Sequence, residues 1–150
     1  MQLAGKHIVK TGAKALWILL MDTDTLARIV PGISRLEKTG DNRFISYIHI
    51  KLGLINAHFS GELQLEDLDE PNGFTLSIQQ SASVGKASAA IRINLLPVNE
   101  GETEISFNGE VKLAGLLAGM GQRVLGGVSN IIIRDFFDNL DKEVAKETTQ

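Results

Sequence analysis

The stretch that decides the fold is residues 57–66, AHFSGELQLE, in which small or apolar residues alternate strictly with polar ones. A period of two is typical of a β-strand with one buried and one solvated face. The same period recurs in segments near 33–39, 43–53, 74–84, 87–97 and 103–113. The quoted stretch therefore belongs to a predicted run of six consecutive strands.

Short polar turns separate these segments, for example Asp41-Asn42, residues 69–73, Gly85-Lys86 and residues 99–101. Connections of this length favour antiparallel hairpins over the longer crossovers that parallel strands need. The sequence therefore predicts an antiparallel meander.

One strand and two short helices are predicted ahead of this run. Residues 3–9 alternate like a strand, and residues 13–21 are strong helix formers around Trp17. Asp22-Thr23-Asp24 offers N-cap residues for a second helix at 25–30. The predicted first strand thus leads into two short helices.

The chain is predicted to close with a single long helix, since apolar residues recur at intervals of three and four from Gly115 onwards. Residues 141–150 contain only one large apolar residue, Val144, and are predicted to fray into solvent. The whole layout is α+β: one domain of residues 1–150, with a seven-stranded, antiparallel, curved sheet wrapped around the final helix.

Composition narrows the functional classes. The chain has 150 residues, of which 43% are hydrophobic, and it has no cysteine, which excludes catalytic thiols, disulfides and cysteine-ligated metals. With 15 basic and 18 acidic residues, its overall charge favours neither nucleic acid nor an anionic membrane. The longest apolar run, Ala15–Met21, has seven residues, against about 20 for a membrane-spanning helix. We expect a cytoplasmic chain without a transmembrane segment, whose membrane contact, if any, is peripheral to the inner face.

The final helical region contains five glycines, and the inward strand positions facing it are often small. Each glycine in a helix interior costs about 0.8–1 kcal/mol relative to alanine. One interpretation is a void of roughly a few hundred Å³ for an apolar guest, which would collapse if it stayed empty. The alternative is that the glycines let helix and sheet approach closely, or that the first helical turns are a loop.

Three polar residues, His7, Ser46 and Gln80, fall on the inward register. A buried polar atom without a partner costs about 1–3 kcal/mol, so these residues either orient the polar head of a ligand or bond within the protein. The complete set of predicted ligand-binding residues is His7, Ser46, Ile48, Ile50, Phe59, Gly61, Leu63, Leu76, Ile78, Gln80, Ile91, Phe107, Gly109, Leu117, Met120, Gly121, Val124 and Val128.

The sequence predicts neither a metal site nor a catalytic residue. His49 and His58 fall on outward strand positions, and His58 lies roughly 13 Å from Glu62 along an extended strand, too far to share an ion. The acidic residues 66–70 end a strand and enter a turn, where solvated carboxylates are ordinary. No G-x-S-x-G elbow for a nucleophilic serine occurs.

Several segments in fixed order carry a resemblance to a known family. They are Leu3-Ala4-Gly5, Trp17 to Leu20 with Asp22, residues 26–32 (LARIVPG), 53–61 (GLINAHFSG), 67–71 (DLDEP), 103–107 (TEISF) and 117–123 (LAGMGQR), and Phe136-Phe137. In this order and spacing, the chain resembles the CoxG-like family of carbon monoxide dehydrogenase subunits, a branch of the START-like or SRPBCC helix-grip proteins.

The resemblance implies a helix-grip fold with a hydrophobic cavity beneath the long C-terminal helix. It also implies an accessory rather than catalytic role, with a bound quinone or lipid in place of any covalent cofactor. The implied partner is a molybdenum hydroxylase such as carbon monoxide dehydrogenase, which family members are proposed to tether, to mature or to supply with quinone.

Two other functions stay open at this point. One is a polyketide cyclase-like or hydrolase-like enzyme of the same superfamily, in which His7 and Gln80 act on a bound substrate. The other is an assembly factor that docks on a partner through its outer surface and has only a vestigial cavity.

Overall fold

The computed structural model describes residues 1–148 and confirms the predicted α+β layout. In chain order the elements are β1 (Gln2–Val9), α1 (Ala13–Met21), α2 (Thr23–Ile29), β2 (Ile33–Gly40), β3 (Arg43–Leu52), β4 (Ile55–Asp69), β5 (Gly73–Ala82), β6 (Gly85–Asn99), β7 (Glu102–Ala114), a 3₁₀ segment (Gly115–Met120) and α3 (Gln122–Thr148).

All seven strands form one antiparallel sheet in the order β1-β7-β6-β5-β4-β3-β2. Strands β2 to β7 are the predicted meander, because each pairs with its neighbour in sequence. The first strand, β1, then pairs with the far edge of β7. The two edges of the sheet are thus β1 and β2, and the pairing of β1 with β7 joins the first and last strands of the chain.

The junction between α1 and α2 has the predicted N-cap. One carboxylate oxygen of Asp22 accepts hydrogen bonds from the Thr25 backbone N–H at 3.0 Å and from the Thr25 hydroxyl at 2.8 Å. These bonds lower the pKa of Asp22, because they favour its ionised form. Asp22 therefore starts α2 at Thr23, two residues earlier than the sequence predicted.

The predicted start of the final helix at Gly115 is wrong. Residues 115–120 form the 3₁₀ segment. Gly121 then has a backbone φ of +83°, which residues other than glycine rarely adopt. Helix α3 begins only at Gln122. The interpretation of the first turns as a loop-like segment was therefore the better one.

The larger apolar core lies at one end of the sheet, under α1, α2 and the C-terminal half of α3. Trp17 is buried there, with its ring edge-to-face against Phe74 at a centroid distance of 5.8 Å. Phe137, Leu140 and Val144 of α3 belong to the same cluster. This end of the molecule is where the final helix is fixed to the rest of the chain.

The predicted fraying of residues 141–148 is also wrong, because α3 continues as a regular helix through Thr148. Glu143 is only 6% exposed, and its carboxylate accepts a hydrogen bond from Arg28 Nε at 2.9 Å and lies 3.5 Å from Lys146 Nζ. Asn139 also donates to the backbone carbonyl of Ile29. These contacts clamp the end of α3 onto α2; residues 149–150, which belong to the same prediction, lie outside the described residues.

We expect Glu143→Gln to destabilise the protein at neutral pH. The hydrogen bond from Arg28 is the main reason that the pKa of Glu143 lies below its usual value. The carboxylate therefore stabilises the fold at pH values above the pKa that Glu143 has in the unfolded chain. This contribution is lost as the pH falls through the lower pKa that Glu143 has in the folded protein. Because Arg28 is half-exposed, the expected loss at pH 7 is only about 1–2 kcal/mol, or about 2–8 °C in Tm.

Thermal melts from pH 7 to pH 3.5 measure this effect, with Glu147→Gln as an exposed control on the same helix. The Tm difference between wild type and Glu143→Gln should shrink below about pH 4.5, the usual range of an unpaired glutamate. Equal melting temperatures at pH 7 would contradict the clamp.

Candidate ligand-binding site

The concave face of the sheet carries two separate apolar clusters. The larger one is the core under α1 and α2, described above. A smaller one at the opposite end contains Ile55, Ala57 and Leu117, with Phe59, Met120 and other half-buried residues around it. The strand faces predicted from the alternation are confirmed, since the buried strand residues are the predicted inward ones.

A band of half-buried residues lies between the two clusters and belongs to neither of them, among the residues that the structure describes. On the sheet it contains Ile78, Ala89, Ile91, Gly109 and Val111, and on α3 it contains Val124, Leu125, Ile131 and Ile132. The strand side chains among them keep part of their solvent exposure, although they lie on the inward face of the sheet.

Helix α3 packs against the smaller cluster at Val128, but it has open space around Gly126 and Gly127. A β-carbon added at Gly126 or Gly127 would meet no atom within 4 Å beyond the local helix backbone. The interpretation that these two glycines let helix and sheet backbones touch is therefore wrong. We call the region between the α3 residues and the sheet residues of the band the helix–sheet gap; the residues on both of its sides are half-exposed.

A row of inward residues crosses the sheet beside the band: Ser46 on β3 pairs with Gly61 on β4, which pairs with Gln80 on β5. Ser46 is 0% exposed and Gln80 is 6% exposed. Gln80 Nε2 donates to Ser46 Oγ at 2.8 Å, reaching over the strand between them. Gln80 Oε1 is buried and has no hydrogen-bond partner among the described residues.

Gly61 makes this reach possible. Neighbouring strands lie about 4.8 Å apart, so the backbones of Ser46 and Gln80 are separated by roughly 10 Å with β4 in between. A β-carbon at Gly61 would collide with the carbonyl oxygen of Gln79 on the adjacent strand. The sheet therefore requires glycine here, and the missing side chain leaves the path that the Gln80 amide crosses.

The structure does not bring His7 and Gln80 together. His7 pairs with Ile105 on β7, whereas Gln80 aligns through Ala87 with Leu113 of the same strand. Eight residues along a strand correspond to roughly 26 Å. The two side chains thus cannot act on one small substrate, as the enzyme alternative required.

His7 instead has partners within the protein. Its Nε2 lies 3.0 Å from both carboxylate oxygens of Asp141, and its ring stacks on Phe137 with centroids 4.5 Å apart. His7 therefore helps to fasten β1 to the C-terminal half of α3, a role that its inward register did not disclose.

Most of the remaining predicted lining residues belong to one of the two clusters or to the band. Leu63, Leu76 and Phe107 pack against the larger cluster, while Ile50, Phe59, Leu117, Met120 and Val128 belong to the smaller one. Ile48, Ile78, Ile91, Gly109 and Val124 are in neither cluster, and Gly121 is the left-handed residue ahead of α3. Leu125, Ile131 and Ile132 of the band were not among the predicted lining residues.

The outer face of the sheet offers no comparable site. His49 and His58 lie outward as predicted, with their rings stacked at 4.1 Å, and no group of three metal-ligating side chains occurs within residues 1–148. Two open depressions, of about 510 and 550 Å³, are lined mainly by outward residues such as Tyr47 and Lys112, although the second also touches Gly61 and Gln80. The first also touches Ile48 and Phe59, so each depression reaches some of the predicted lining residues.

A sheet of this topology curved around a C-terminal helix, with two short helices after the first strand, defines a START-like helix-grip protein. The family model for the CoxG subunit of carbon monoxide dehydrogenase matches residues 5–145, and the chain belongs to that family. A search of curated protein sequences found no match. None of the helices within residues 1–148 has the length and apolar character needed to cross a membrane.

Solved structures share this fold over nearly the whole chain. A conserved protein from Geobacillus kaustophilus is 27% identical, with a TM-score of 0.94, and the match covers 97% of this chain and 96% of that one. A START superfamily protein from Mycobacterium smegmatis is 9% identical, with a TM-score of 0.76 and 97% of both chains covered. The Zhui aromatase/cyclase from Streptomyces sp. R1128 is 12% identical, with a TM-score of 0.63, covering 98% of this chain and 92% of that one. The last two likenesses concern the fold alone.

Proposed function

We propose that this protein is a non-enzymatic carrier that holds a quinone or a similar lipid-like molecule in the helix–sheet gap. The observation that carries the proposal is the band of half-buried apolar residues between two packed clusters, beside a buried polar pair. An apolar chain laid along this band would gain about 0.8 kcal/mol for each methylene group that it buries. The protein side chains alone leave that surface partly in water.

The polar pair supports a ligand with a polar head. Gln80 Oε1 is a buried acceptor without a donor, and the Ser46 hydroxyl, which accepts from Gln80 Nε2, still has its own hydrogen to donate. A ligand hydroxyl would satisfy Gln80, and a ligand carbonyl would satisfy Ser46. The reduced and oxidised forms of a quinone carry these two groups, respectively.

Family membership supports an accessory role beside a redox enzyme. We therefore extend the proposal to service of a molybdenum hydroxylase such as carbon monoxide dehydrogenase, by carrying the quinone that such an enzyme reduces. The geometry does not support the enzyme alternative. The β7 residues that align with His7 and Gln80 are roughly 26 Å apart along the strand. A cytoplasmic location is part of the same proposal.

A thermal-shift titration of delipidated protein with a short-chain menaquinone tests the proposal. At a ligand concentration of 100 Kd, binding stabilises the fold by about 2.7 kcal/mol, which corresponds to a rise of about 5–11 °C in Tm. Native mass spectrometry gives an independent readout of the bound quinone. Trp17 fluorescence is a poor reporter, since Trp17 is buried in the larger cluster rather than beside the gap.

The double variant Ser46→Ala/Gln80→Leu should weaken quinone binding at least about tenfold. Its stability without ligand should change little, because both hydrogen-bonding partners are removed together. Ser60→Ala/Gln79→Leu is a control with the same residue changes, since these two exposed residues occupy outward positions on β4 and β5. If quinone neither raises the Tm nor co-purifies with the protein, the carrier proposal fails and the assembly-factor alternative gains.

A further inference from the structure

Three connections meet at the end of the molecule that holds the smaller cluster. They are the β3–β4 turn, the β5–β6 turn and the 3₁₀ segment, within residues 51–56, 83–86 and 112–123, respectively. The Leu117 backbone N–H donates to the Val84 carbonyl at 3.0 Å, and Leu117 packs against Ile55. We call these three ranges the loop tip.

Two large apolar side chains project from the loop tip into solvent. Leu54 is 84% exposed, and Leu116 is 70% exposed, the two highest values among the exposed large hydrophobic residues. Gly53, with a φ of +57°, lets the chain reverse in a tight turn that leaves Leu54 outside the smaller cluster. Neither leucine contributes to the packing of the smaller cluster, so both are available to a partner.

The charge of the loop tip differs from that of the rest of the chain. It contains four basic residues, Lys51, Lys86, Lys112 and Arg123, and no acidic residue, although the whole chain carries a formal charge of −3. All four side chains are exposed, and none forms an ion pair with any residue of 1–148. Overall composition gave no electrostatic reason for membrane contact, because this local excess is hidden in the total.

We infer that the loop tip docks on the surface of an anionic lipid bilayer. The exposed leucines can insert among the acyl chains, and the nearby cations can bind the negatively charged headgroups above them. Each cation near the surface strengthens binding about fivefold. The tip also lies at the end of the sheet that holds the smaller cluster, to which it contributes the buried residues Ile55 and Leu117. The inference goes beyond the proposed carrier function and stands without it, since docking requires no bound ligand.

Vesicle flotation without quinone tests the inference, with vesicles of phosphatidylcholine alone and of phosphatidylcholine with phosphatidylglycerol. Wild type should bind the anionic vesicles more tightly, and added salt should weaken that binding. Lys86→Glu/Lys112→Glu should reduce the affinity for anionic vesicles at least about 25-fold. Leu54→Ser/Leu116→Ser should reduce binding to them at least about tenfold.

Matched controls change residues elsewhere on the surface. Lys38→Glu/Lys142→Glu alters the net charge equally, and Ile18→Ser/Leu96→Ser removes two other exposed apolar side chains. Both controls should bind as wild type does, and all variants should keep the wild-type Tm. Wild type that does not float, tip variants that float like wild type, or controls that lose as much binding would each overturn the inference. The inference would also be overturned if the protein formed a dimer and did not bind vesicles, and if Leu54→Ser/Leu116→Ser dissociated that dimer. The tip would then contact a second copy of the chain.

Discussion

Replacing Gly126 by leucine is expected to stabilise the protein and at the same time to weaken quinone binding at least about tenfold. A residue other than glycine in a helix interior gains up to about 1 kcal/mol from helix propensity. The added side chain meets open space, because no neighbour lies within 4 Å of a β-carbon at this position. Since Gly126 is half-buried, the leucine would occupy the helix–sheet gap itself.

The adjacent glycine provides the control. Gly127 has the same open surroundings but is exposed, so Gly127→Leu should gain the same helix propensity without filling the gap. Melting temperatures and quinone titrations of both variants separate the two effects. Equal quinone affinities for Gly126→Leu and Gly127→Leu would mean that the ligand binds elsewhere, and a lower Tm for Gly126→Leu would mean that the gap is not open.

Replacing Leu140 by alanine is expected to cost about 3 kcal/mol of stability, or about 6–12 °C in Tm. Leu140 is fully buried in the larger cluster, and a leucine-to-alanine change in a packed core removes both apolar burial and close contacts. Ile132→Ala, on the same helix, should cost only about 1 kcal/mol, because its side chain is half-buried and outside both clusters.

Chemical denaturation of the two variants measures this difference. Equal losses would show that both halves of α3 pack equally against the sheet, which would remove the basis of the helix–sheet gap. An unchanged stability of Leu140→Ala would contradict the assignment of this helix end to the core.

Local sequence patterns predicted the strands and their buried faces well. The alternation at residues 57–66 follows the pleat of a single strand, so it requires no knowledge of distant partners. The same is true of the Asp22 cap, which binds a backbone N–H only three residues away. The start of the final helix was predicted wrongly because of its glycines. The wide conformational range of glycine is compatible both with a helix and with the positive φ found at Gly121.

Contacts between distant parts of the chain could not be predicted in the same way. Arg28 and Glu143 are 115 residues apart in sequence, so the carboxylate that clamps the last turns of α3 looked like one more exposed charge. Ser46 and Gln80 were each identified as inward polar residues, but their bond across Gly61 depends on the registers of two strand pairs. A periodic pattern defines faces, whereas registers and pairings come from the assembled sheet.

Helix α3 bridges the two apolar clusters, because Leu140 is buried in the larger one and Val128 packs against the smaller one. These two supports are 12 residues apart, or about 18 Å at 1.5 Å per residue. A molecule bound under the helix as proposed would therefore have to bend the helix between its supports or loosen one of them.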